Sequence, residues 1–179
     1  MTGDAENQQE RLSEFHGWVI GFVDGEGCFS IGFVQQPHRR SRRGYRTGYQ
    51  VSHDFVVTQS ASSAESLDEL CEFFGAGKVY VNRRSDNHRE HLLRYSVCRR
   101  QDLLDRIIPF FRQHPLRTAK RFDFQKFAYC VELMAEDRHK TWQGLVEIAE
   151  IVQTMNRRKP RRELLRILRD HTPNIQDTG

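Results

Sequence analysis

Trp18-Val19-Ile20-Gly21-Phe22-Val23-Asp24-Gly25-Glu26-Gly27 puts two carboxylates and three glycines at the end of an apolar run. Ser13 can cap a helix through Phe15, Trp18, Val19, Ile20, Phe22 and Val23, and a helix apolar on almost every side is expected to be buried all round. Carboxylates at the end of such a helix are costly unless something pairs with them. Gly17, Gly21 and Gly25 recur every four residues, so they share one helical stripe where another backbone can approach closely. The motif occurs once, so the approaching element can be the same helix of a second copy about a two-fold axis, giving a homodimer. Another helix of the same chain is the alternative.

Outward from this stretch, residues 28–34 alternate, with Phe29, Ile31 and Phe33 on one face and Cys28, Ser30, Gly32 and Val34 on the other. A basic loop over 35–44 leads into a second strand over 45–59, completing a hairpin. Ser62 and Glu65 form a capping box for a helix through Leu67, Leu70, Cys71 and Phe74, closed by Gly75 or Gly77. A second hairpin has strands at 78–84 and 92–98, with Val79 and Val81 opposing Lys78, Tyr80 and Asn82. Helical spacing follows over 101–108 up to Pro109, then over 122–134 and 141–155. The expected fold class is α+β: a four-stranded antiparallel sheet with helices on its apolar face and its polar face open. Residues 1–12 are expected as a flexible tail, 13–156 as the domain, and 157–179 as a basic C-terminal helix and tail.

The 179 residues, 37% hydrophobic and 29% charged, suit one soluble globular domain. A net charge of +4 with Arg39, Arg40, Arg42, Arg43 and Arg46 in one short stretch points to an anionic partner, a solvated charged face being the bland alternative. Cys28, Cys71, Cys98 and Cys130 form no C-x-x-C pair, which argues against a zinc knuckle or redox motif and for reduced thiols. No apolar run is long enough for a membrane span, and the N-terminus lacks a signal core. An intracellular setting, in a bacterial cytoplasm or an organelle matrix or stroma, is expected.

A two-fold axis through the motif helix would bring Glu26 to its symmetry mate, and two close carboxylates invite a divalent metal. Mg²⁺ there could bridge scissile phosphates, activate water and stabilise the leaving 3′ oxygen, so that one symmetric site cuts both strands. On the residues alone, Asp24 reads as a helix-end hydrogen-bonding group.

Val19 to Gly27, V-I-G-F-V-D-G-E-G, resembles the LAGLIDADG motif of homing endonucleases, with Val19 and Ile20 in place of the usual Leu and Ala. The chain resembles the single-motif, homodimeric type over residues 13–156. That resemblance implies that Glu26 is the metal-binding catalytic residue, that the Gly25 carbonyl is a further ligand, and that Asp24 is structural at the helix interface with Gly17, Gly21 and Gly25. It implies Mg²⁺ or another divalent metal such as Mn²⁺ as cofactor, with Ca²⁺ non-productive. It also implies a solvent-holding role for Gln59 at the end of the second strand, where the residues alone suggest a plain polar strand end. A basic residue before the long C-terminal helix polarises phosphate in this family. Lys120, then Arg117, match it, although a lone Lys also suits a surface or helix-dipole role. Some relatives carry a further basic residue just after the strand-end Gln, where this chain has Ser60 to Ser63.

Strand periodicity and the resemblance together assign Ser30, Val34, Gln36, Gln50, Ser52, Asp54, Lys78, Tyr80, Asn82, Arg84 and Arg94 to a double-stranded DNA face. Arg can read guanine, Gln or Asn adenine, and Asp cytosine. The loop arginines fit phosphates better than bases, and Arg157, Arg158, Lys159, Arg161 and Arg162 either do likewise or form a solvated junction. A two-fold dimer implies a long, roughly palindromic target with staggered cuts. The competing reading is a non-cleaving binder of the same fold, an intron maturase or a transcription regulator. The acid at Glu26 favours cleavage, since a binder has no need of a metal-site carboxylate.

Overall fold

The computed structural model describes residues 2–36, 47–82, 91–156 and 162–170. Arg39, Arg40, Arg42, Arg43, Arg46, Arg84, Arg157, Arg158, Lys159 and Arg161 lie outside the described residues, as do the side chains of Asn82 and Arg162. The elements are α1 (Thr2–Glu26), β1 (Gly27–Gln35), β2 (Tyr49–Ser60), α2 (Ala64–Phe74), β3 (Lys78–Asn82), β4 (Leu92–Val97), α3 (Arg100–Asp102), α4 (Ile108–Gln113), α5 (Lys120–Ala135), α6 (Trp142–Val152) and α7 (Arg162–Asp170). The four strands form one antiparallel sheet in the order β1-β2-β4-β3.

The structure corrects several expectations. α1 begins at Thr2 rather than at a Ser13 cap, so the expected tail is helical: residues 7–16 are Glu-, Gln-, Arg- and Leu-containing, with no Gly or Pro. Nor is α1 buried all round. Val19 and Val23 are fully buried, Trp18, Ile20 and Phe22 are half-buried, and Gly17, Gly21 and Gly25 are exposed. Ser62 does not cap α2, because residues Ala61–Ser63 form a 3₁₀ turn first and Ser62 Oγ instead shares a 2.8 Å hydrogen bond with Ser60 Oγ. Gly75 does close α2, at φ 54° in the left-handed region.

Pro109 does not stop its helix. It falls in the first turn of α4, and Leu103–Ile107 between α3 and α4 is a π turn. Proline lacks an N–H and its ring crowds the carbonyl four residues back, and a wider turn ahead of it relieves both demands. Val81, expected on the apolar face, is 56% exposed, because β3 is an edge strand.

The chain divides into two compact units, residues 1–29 with 54–121 and residues 30–53 with 122–179. The first is built on an aromatic core. Phe55 stacks on Phe29 at 5.0 Å and meets Phe111, Phe74 and Tyr95 at 5.8, 6.1 and 6.1 Å. The second is built on α5 and α6, where Phe124, Phe127, Val131, Leu145 and Ile148 are buried. Thr141 caps α6, its Oγ1 accepting from Gly144 N at 3.1 Å. Among the described residues no helix is long and apolar enough to cross a membrane.

Gly27 turns α1 into β1 immediately after the acidic motif. A Cβ there would lie 2.6 Å from Val23 Cγ1 and 2.7 Å from Val23 O. Gly27→Ala is therefore expected to destabilise by about 1–3 kcal/mol, the range for overpacking a tight site. Urea unfolding checks this, and an unchanged midpoint would contradict the packing.

Candidate functional site

The C-terminal end of α1 carries the site. Helix carbonyls there have no intrahelical partners and a partial negative charge. Lys120 answers both needs, its Nζ donating to Val23 O at 2.9 Å and to Gly25 O at 3.2 Å. This geometry matches a helix-dipole partner, and it also sets an ammonium on the carbonyl adjoining Glu26, which is exposed.

Asp24 fixes the segment that delivers Lys120. Its Oδ2 accepts from Arg117 N at 2.6 Å, and its Oδ1 accepts from Thr118 Oγ1 at 2.7 Å. Thr118 Oγ1 in turn accepts from Lys120 N at 3.2 Å. Asp24, expected at a helix interface, is thus engaged within its own chain as a helix-end hydrogen-bonding group. Of the two basic candidates, Lys120 brings its head group to the motif, whereas Arg117 brings its backbone N–H. Thr118 was not singled out by sequence, and only its neighbourhood to Arg117 and Lys120 marks it.

Gln59 lies near the end of β2, paired with Leu93 and half-buried. Among the described residues hydrogen bonds join Lys120 to the Gly25 carbonyl and Asp24 to Arg117 and Thr118, and none joins Gln59 to Glu26 or Lys120. Among the described residues no cluster of three or more His, Cys, Asp and Glu could hold a metal ion. The Glu26 carboxylate and the Gly25 carbonyl are oxygen donors of the kind a hard divalent cation takes, but that cation wants about six. The two donors of one chain would be part of such a shell.

Stripe glycines are open. A Cβ at Gly17, Gly21 or Gly25 would meet nothing within 4 Å, so no helix of the same chain fills the stripe among the described residues.

On the sheet face of the first unit, Lys78 and Tyr80 are exposed, and Arg94 is 42% exposed beside Asp54. In the second unit, Gln36 Nε2 donates to Gln50 Oε1 at 2.8 Å, Val34 and Ser52 are exposed and Ser30 is half-buried. Gly32 lies under Ser52, whose Oγ would be 2.5 Å from an added Cβ.

A model of the LAGLIDADG endonuclease family matches residues 19–131. The chain belongs to that family. Its motif, Val19 to Gly27, occurs once in the 179 residues of this LAGLIDADG chain, as in the single-motif type. It is 31% identical over 144 residues to an uncharacterized 50.9 kDa protein in ND4 intron 1 of Podospora anserina, a match covering 79% of this chain and 29% of that protein. It is 28% identical to the homing endonuclease I-ApeII of Aeropyrum pernix, over 86% of this chain and 72% of the relative. Among solved structures it is similar to the homing endonuclease I-TnaI, at 35% identity and TM-score 0.70 over 87% of this chain and 95% of the other. It is also similar to I-SmaMI bound to cleaved DNA, at 28% identity and TM-score 0.72 over 90% and 51%. The chain spans only 29% and 22% of the Podospora relative and of a probable intron-encoded endonuclease of Neurospora crassa.

Proposed function

We propose that this LAGLIDADG chain is a site-specific DNA endonuclease that acts as a homodimer, each copy contributing one Glu26 to a metal-dependent double-strand cut in a long, roughly palindromic target. The observation that carries the reading is the Lys120 ammonium on the Gly25 carbonyl, next in the chain to the exposed Glu26, at the end of α1. The DNA-bound state of the similar I-SmaMI structure supports duplex DNA as the target.

Glu26 and the Gly25 carbonyl would hold Mg²⁺ or Mn²⁺, which supplies charge neutralisation at the scissile phosphate and a more acidic water. Lys120 holds its positive charge against the carbonyls of Val23 and Gly25, beside the place where phosphate charge builds up. Asp24 fixes the Arg117–Thr118 turn and so fixes Lys120, and precise placement of a charged group is worth orders of magnitude in rate. Gln59 serves as the solvent-holding polar group near the reacting phosphate. On this reading Ser30, Val34, Gln36, Gln50, Ser52, Lys78, Tyr80, Asn82, Arg84 and Arg94 serve as DNA-contacting residues and Arg39, Arg40, Arg42, Arg43 and Arg46 as phosphate contacts, the Asn82 side chain, Arg84 and the loop arginines lying outside the described residues.

The open glycine stripe supports the dimer, since close helix approach needs missing side chains and nothing among the described residues of the same chain uses them. Gly21→Lys adds a good helix former into open space, so the monomer keeps its helix content, whereas two such side chains facing each other across an axis cannot pack. Sedimentation is expected to show a dimer for the wild type and a monomer for the variant. A variant that stays dimeric would contradict this interface.

Incubation of the protein and Mg²⁺ with a randomised or genomic plasmid pool, followed by sequencing of linear ends, tests cleavage directly. Discrete ends at one recurring site are expected. Tight, sequence-selective binding with no ends in any pool would favour a non-cleaving maturase or regulator.

A further inference from the structure

The sheet face of the first unit carries a charged cluster that the Glu26 end does not use. Along β4, Tyr95 and Val97 are fully buried, so Arg94 and Ser96 stand on the opposite face. The register places Thr58 of β2 on one side of Arg94 and Tyr80 of β3 on the other, which sets the guanidinium in mid-face rather than at an edge. Asp54 accepts from Ser96 Oγ at 2.7 Å through Oδ1 and from Arg94 Nη2 through Oδ2. Both carboxylate oxygens are therefore engaged within the chain.

The two partners differ in depth, with Asp54 22% and Arg94 42% exposed. Burial raises the Asp54 carboxyl above its ordinary range, opposed by the hydrogen bond from Ser96 and by Arg94. An inward carboxylate thus tethers an outward guanidinium, over a 390 Å³ cavity lined by Asp54, Tyr80, Val81, Arg94, Ser96 and Cys98. A guanidinium has five N–H donors; one on Nη2 goes to Asp54 and the Nε–H is buried, which leaves Nη1 and the second Nη2 hydrogen for a ligand.

We propose that Arg94 reads a guanine and that Asp54, expected from its residue type to accept from a cytosine, is instead the positioning residue for Arg94. This rests on the reading of the sheet face as a DNA surface. The planar fork of Arg matches O6 and N7 of guanine in the major groove. Tethering removes side-chain freedom before binding rather than during it, which raises affinity and narrows the choice of base. Asp54 already accepts one hydrogen bond on each oxygen, from Ser96 and Arg94, and is the less exposed of the pair, so the group offered to a base is the guanidinium. In a two-fold dimer the pair recurs once in each half of the target.

Selection of bound duplexes from a randomised pool, without Mg²⁺, reads each target position separately. The wild type is expected to require guanine at one position per half-site. Arg94→Lys keeps the charge and loses the fork, so that preference should fall about 10-fold or more with the other positions unchanged. Asp54→Asn should lower the same position and no other, a pattern that a general loss of folding would not give. The double variant Asp54→Asn with Arg94→Gln removes both charges, leaves no unpaired one, and should keep the wild-type circular dichroism while lacking the guanine requirement. Even weakening at every position would make Arg94 a phosphate contact and overturn the proposal. A defined wild-type target that Arg94→Lys leaves intact overturns this assignment alone. A wild type that enriches no sequence overturns the DNA reading beneath it.

Discussion

Glu26→Gln is expected to lower the cleavage rate by more than about 100-fold while leaving target binding within a few-fold of the wild type. Loss of a group that merely supports a metal ligand costs about 10–100-fold, and this change removes a ligand's charge. Gln keeps nearly the same shape. The contacts that shape the site do not involve the Glu26 side chain: Lys120 rests on the backbone carbonyls of Val23 and Gly25, and Asp24 holds Arg117 and Thr118. Parallel cleavage and gel-shift titrations on one duplex separate the two quantities. A variant that cuts at the wild-type rate would remove Glu26 from the chemistry.

Phe55→Ala is expected to cost about 3–5 kcal/mol of stability, the range for truncating a buried aromatic. The ring is fully buried on central strand β2 and contacts four aromatic rings, from Phe29, Phe74, Tyr95 and Phe111. Such rings gain from offset and edge-to-face geometry beyond the area they bury, and no neighbour can fill the space without giving up its own contacts. Against a typical domain stability of about 5–15 kcal/mol, this loss would leave much of the protein unfolded on mild heating. A loss under about 1 kcal/mol by urea unfolding would contradict the ring cluster.

The element order and the four-stranded sheet were legible because strand alternation at 28–34 and 78–82 and the helix spacings are local signals, and Gly75 closes its helix as its position suggests. Where local rules failed, tertiary demands or competing local structure intervened. Pro109 lies inside a continuing helical stretch because a π turn precedes it, and Ser62 lost its capping role to a 3₁₀ turn. The helix of the motif read as buried on all sides because apolar count does not reveal which face lacks a neighbour; its glycine stripe is open.

At the site, residue types indicated Glu26 and Asp24, and the family resemblance ranked Lys120 ahead of Arg117; the coordinates add that Lys120 brings its head group to the helix end and Arg117 its backbone N–H. Both lie in one short segment, and only the fold shows which head group reaches the helix end. The Asp54–Arg94 tether was equally invisible. Its members are 40 residues apart, and base-reading rules taken one residue at a time assign each its own base. Ser96 could have been found, since it alternates with Arg94 on the same strand face.

The central claim is that two copies of Glu26, one from each chain, cut the two strands. Mapping both cut positions on a duplex labelled separately on each strand tests it most directly. Two staggered cuts related by the two-fold axis of the target, appearing together with the same dependence on protein concentration, are the predicted result. A single nick on one strand, produced at a rate set by the monomer, would contradict it.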